Sequence, residues 1–136
     1  MKKNFVINSN YLIQGNCWFD LHNDYYLADK VINEKHTILT LVWNKRREEW
    51  VNPNSAMRIY LLFDQISLLE CSNDFLSKPC SPSFFIDELG YLPENEVLGE
   101  GLYGEQGYRE SSHIVFGFLD NEYIRVACGS IIFSHI

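Results

Sequence analysis

Two apolar runs, His36–Trp43 and Ala56–Phe63, limit what this chain can fold into more than any other feature. Both are rich in β-branched and aromatic residues. Both have the length of strands rather than helices. The connection between them carries Lys45-Arg46-Arg47-Glu48-Glu49 and then the turn cluster Asn52-Pro53-Asn54-Ser55. Such an arrangement predicts a long antiparallel hairpin. A second hairpin is predicted at His113–Leu119 and Glu122–Cys128, closed by Asp120-Asn121, with Gly129 marking a bulge or bend and Ile131–Phe133 extending the strand. Tyr25–Ile32 reads as a further strand. Phe5–Ile7 and Tyr11–Ile13 read as short strands about the turn Asn8-Ser9-Asn10. Asp64–Cys71 continues the second run as a bent strand or as a separate one.

One helix is expected. Ser81 is placed to cap it, Pro82 to begin it and Gly90 to end it, with Phe84, Phe85, Ile86 and Leu89 on an apolar side. The predicted fold class is therefore α+β and mainly β: a single domain over 1–136, with an antiparallel sheet of five to seven strands and one short helix near 82–90. Aromatic residues make up 15 % of the chain, which suits a sheet-rich core.

Charge is the feature that bears on function. The net charge is −7. From Asp87 to Glu110 there are seven acidic residues and one basic residue, so this stretch holds nearly all of the excess. It also contains five of the eight glycines and three tyrosines. An acidic Gly-rich loop at about 94–110, on an otherwise balanced domain, points to a surface that meets something basic. The candidate partner-binding residues are Glu94, Glu96, Glu100, Tyr103, Glu105, Tyr108 and Glu110.

Other motifs carry less. Gly99-Glu100-Gly101-Leu102-Tyr103-Gly104 spells G-x-G-x-x-G, but Val97-Leu98 is too short a preceding strand and Gly107 interrupts any following helix. Glu100 and Glu105 would also repel phosphate. His22-Asn23-Asp24 places two potential ligands on one strand face, yet no third ligand is local, so metal binding is not expected. Cys17, Cys71, Cys80 and Cys128 form no C-x-x-C pair and read as reduced structural thiols. No G-x-S-x-G or other nucleophile motif occurs, and carboxylates in a solvated loop are poor general acids. Catalytic residues and cofactors are accordingly expected to be absent. The triplet Lys45-Arg46-Arg47 is offset by Glu48-Glu49 and reads as solvated charge at a hairpin tip, so neither nucleic acid nor membrane is an expected partner. The N-terminus begins like a signal peptide, but its apolar run stops at Ile7. The expected location is the cytoplasm.

The order of several elements resembles the small immunity-type proteins found beside bacterial polymorphic toxins. The residues that carry the likeness are His22 and Asp24, with Asn23 between them; Leu61-Leu62-Phe63-Asp64-Gln65-Ile66 followed by Leu68-Leu69-Glu70; and the terminal hairpin His113–Phe118 with Ile124–Cys128. The resemblance implies a binder rather than an enzyme, one that covers a toxin's active site or holds the toxin inactive. Many such toxins are basic nucleases. Two alternatives stand beside it: a small-molecule-binding sheet domain, or a small metal-dependent hydrolase using His22, Asp24 and a distant histidine.

Overall fold

The computed structural model describes residues 1–136. Ten strands form in chain order: β1 (Lys2–Lys3), β2 (Val6–Asn8), β3 (Tyr11–Gln14), β4 (Cys17–Asp20), β5 (Tyr25–Ile32), β6 (Ile38–Lys45), β7 (Arg58–Cys71), β8 (Ile86–Leu92), β9 (His113–Phe118) and β10 (Tyr123–His135). The main sheet runs β5-β6-β7-β10-β9-β8, and β1 lies parallel to β10 beyond the end of its pairing with β9. All other pairings are antiparallel, and the sheet curls into a half-barrel. The strands β2-β3-β4 make a separate small sheet. No helix is long and apolar enough to cross a membrane.

Strand alternation explains the core. Leu39, Leu41 and Trp43 on β6 point the same way as Ile59, Leu61 and Phe63 on β7, and all six are fully buried. Ile114, Phe116 and Phe118 on β9 meet them across the concave face. Trp43 stacks on Phe118 with ring centroids 6.0 Å apart, and Phe63 meets Phe116 edge-on at 6.0 Å. The small sheet covers one end of this face, with Phe19 against Phe133 at 5.0 Å. The connection between β7 and β8 covers another, with Phe75 stacked on Phe118 at 5.1 Å.

Both expected hairpins form. Asp120 and Asn121 both have left-handed backbone, φ 63° and 60°, as a two-residue turn between right-twisted strands requires. The strand from Arg58 continues unbroken to Cys71, bent at Gln65, whose φ is 56°. Gln65 turns its side chain over Gly129, where a Cβ would lie 2.1 Å from Gln65 Oε1. The pairing of β7 with β10 shifts register between Ala127 and Cys128, where Ser67 of β7 is the extra residue, so the irregularity expected at Gly129 lies in the facing strand.

The helix expected near 82–90 is absent. Ser81–Phe85 instead make a turn, with Phe84 N–H donating to the Ser81 carbonyl at 2.9 Å, and Ile86–Leu92 is strand β8 paired to β9. The only helical pieces are two 3-10 turns, at Glu105–Gly107 and Leu119–Asn121. Tertiary pairing decides this. Leu89, Gly90, Tyr91 and Leu92 are buried in succession, which suits a strand covered on both faces and no one-sided helix. Gly90 does not end a helix either. A Cβ there would come within 2.7 Å of both Leu102 Cβ and the Tyr103 carbonyl, so glycine lets the following loop pass close by.

Candidate functional site

The acidic loop leaves the end of β8 and returns to the start of β9, and it is fastened at three places. Tyr91 and Tyr103 exchange backbone hydrogen bonds, both 2.8 Å. The 3-10 turn at Glu105–Gly107 packs against the N-terminal strands. Further on, the Tyr108 hydroxyl donates to the Met1 carbonyl, and the Met1 amino group donates to the Glu110 carbonyl at 2.9 Å.

Glu105 organises the second of these places. Its carboxylate pairs with the Lys3 ammonium, and its Oε2 accepts from the Ile7 amide and the Tyr91 hydroxyl, each at 3.0 Å. The Lys3 side chain is only 7 % exposed and Glu105 is 32 % exposed. Lys3 also lies over the Tyr108 ring, 4.6 Å from its centroid. Burial, and then the Glu105 charge, push the Tyr91 phenol far above its ordinary range, so it stays a donor.

The seven residues selected from sequence therefore divide. Glu94, Glu96, Glu100, Tyr103 and Glu110 are exposed, whereas Glu105 and Tyr108 turn inward and hold the loop to the domain. Tyr103 donates to Glu96 at 3.2 Å, and the Glu96 charge raises its pKa. Val97, on the same loop, is 80 % exposed. Charge counting passes over such a residue, yet an apolar side chain among carboxylates is a natural contact point. Arg109 is the one basic residue of the loop itself, its guanidinium donating to the Tyr108 carbonyl at 2.9 Å.

The remaining candidates are placed apart. His22 Nδ1 engages the Ile86 carbonyl, and its ring meets Phe85 edge-on at 5.8 Å. Asp24 lies beside Asp20, which accepts from the amides of His22 and Asn23 at 3.0 Å and so builds the turn. Burial and the Asp20 charge raise the Asp24 pKa. His135 packs on Phe19 at 5.0 Å, and His36 occupies a left-handed turn position. No three His, Cys, Asp or Glu side chains converge where a metal ion could bind. All four cysteines are free thiols, and burial pushes Cys128 up to about 11.

A buried cation lies behind the loop. Arg125 is enclosed, with Nε donating to His113 Nδ1 at 2.8 Å and Nη2 to the Pro93 carbonyl at 3.1 Å. Burial first, and Arg125 second, hold the His113 pKa below that of a free imidazole. The folded state thus keeps His113 neutral, and the unfolded chain binds its proton more readily. The stability this pair contributes is complete above about pH 6.5 and is lost as pH falls through the lower folded value. The midpoint of urea unfolding is expected to drop between pH 7.5 and pH 5.5, and to drop less in His113→Gln; equal drops would remove His113 as the cause.

Fold and loop together define a small β-rich domain that displays a fastened acidic face. No protein-family model, no curated protein and no solved structure matches the chain.

Proposed function

We propose that this chain is a non-enzymatic protein-binding module, most concretely an immunity-type inhibitor of a basic toxin or nuclease, acting through its acidic loop in the cytoplasm. The observation that carries this reading is the division of labour within the loop. One carboxylate, Glu105, is spent on anchoring, while Glu94, Glu96, Glu100 and Glu110 face outward beside Tyr103 and Val97. A surface fixed before binding loses less conformational entropy on association. Clustered negative charge accelerates encounter with a basic partner and selects against acidic ones. Tyr103 and Val97 supply the apolar contact that charge alone lacks.

The test is affinity capture from cells that naturally produce the protein, at low and high salt. The comparison is with a variant carrying Gln at positions 94, 96, 100 and 110. Capture of one basic protein by the wild type, reduced by about tenfold or more in the variant and at high salt, is the expected result. Undiminished capture by the variant would place recognition away from the loop.

A further inference from the structure

A cleft of about 750 Å³ opens between the ends of β5, β6 and β7, and shares no residue with the acidic loop. Lys45, Arg46, Arg47 and Arg58 line it, with Glu48, Glu49 and the terminal carboxylate of Ile136 as the opposing charges. This cationic excess stands on a protein whose net charge is −7. The basic triplet is therefore more than the solvated hairpin tip its sequence suggests.

The cations are held mostly by neutral acceptors. Lys45 Nζ donates to the Pro53 and Ser55 carbonyls at 3.0 and 3.3 Å, and Arg58 Nε donates to Asn44 Oδ1 at 2.9 Å. Arg46 makes the cluster's one ion pair, to Glu48 at 3.4 Å. Its side chain is only 13 % exposed, and its guanidinium lies over the Phe85 ring at 4.5 Å, with Nε toward the Tyr25 carbonyl at 3.4 Å. A desolvated, fixed guanidinium with donors to spare is suited to a bidentate anion. Arg46, Arg47 and Tyr26 also line an adjoining cleft of about 430 Å³, so they stand on the wall the two share. Val51 and Met57 give the larger cleft an apolar side.

The geometry points to a binding site for a phosphomonoester that carries a planar apolar group. Four cations against Glu48, Glu49 and the Ile136 terminal carboxylate leave a net positive charge that attracts a phosphomonoester dianion near pH 7. The size falls within the range of small-molecule pockets. Arg46 and Arg58 hold the phosphoryl oxygens, while Tyr26 and Met57 border the ring.

Calorimetric titration tests this with AMP and with phosphotyrosine, which separate a nucleotide from a phosphorylated aromatic. Adenosine and inorganic phosphate are titrated alongside. At least one ester should bind saturably below about 1 mM, adenosine should not bind, and inorganic phosphate should bind more weakly than the ester. The exposed pair Arg47→Gln and Arg58→Gln should weaken the ester about tenfold or more while leaving Tm unchanged. The variant with Gln at 94, 96, 100 and 110 should bind the ester as the wild type does, which keeps this site independent of the loop's role. No saturable binding of either ester, equal binding by the double variant, or inorganic phosphate binding as tightly as the ester would each overturn the proposal.

Discussion

Trp43→Ala is expected to destabilise the protein by about 4 kcal/mol, a large part of the ~5–15 kcal/mol that holds a domain of this size together. Trp43 is fully buried and stands between Phe116 and Phe118, at 6.1 and 6.0 Å. Truncation would open a cavity where β6 meets β9 across the half-barrel. Trp43→Phe should behave differently. The indole Nε1 is buried and has no hydrogen-bond partner. Phenylalanine would remove that unpaired donor while keeping most of the ring contact. Its cost should therefore stay within about 1 kcal/mol. Urea unfolding of both variants checks the pair; a Phe variant as unstable as the Ala variant would show that the indole nitrogen has a role the packing does not reveal.

Glu105→Ala is expected to cost about 2–3 kcal/mol and to lower Tm by roughly 10 °C. The loss exceeds that of a surface ion pair because three donors are stranded together: the Lys3 ammonium, the Ile7 amide and the Tyr91 hydroxyl. Lys3 would remain buried, with the Phe5 carbonyl at 3.0 Å as its hydrogen-bond acceptor. Glu105→Gln should recover part of the loss, since it restores an acceptor without the charge. Glu100→Ala, on the exposed part of the same loop, should change Tm by no more than about 2 °C. Thermal unfolding of the three variants separates the anchoring carboxylate from the displayed ones.

Local pattern reveals the hairpins because their cues are local. The Asp120-Asn121 turn lies within a few residues of the contacts it specifies, and the alternation in β6 and in β7 can be read along each strand by itself. The helix expected at 82–90 fails for the opposite reason. Ser81, Pro82 and Gly90 are sound helix punctuation, but Ile86–Leu92 has β9 on one side and Tyr103 on the other, and neither is visible from that segment. The acidic loop is half legible. Its excess of charge can be read directly. Which carboxylate turns inward depends on Lys3, some hundred positions away, and a count of charges treats Glu105 and Glu100 alike. The same holds for Arg46. In sequence it is the middle of a charged tip. In the fold it lies against Phe85 and is largely covered.

Amide hydrogen exchange on the free protein is the most direct check that the acidic face is set before any partner arrives. The amides of Ile7, Tyr91, Tyr103, Gly107 and Tyr108 all have acceptors within the fastened region, at 2.8 to 3.1 Å. They should exchange slowly in the wild type and markedly faster in Glu105→Ala, while the amides of β6 and β7 are little changed. Rapid exchange of these five amides in the wild type would contradict an acidic loop held ready by Glu105.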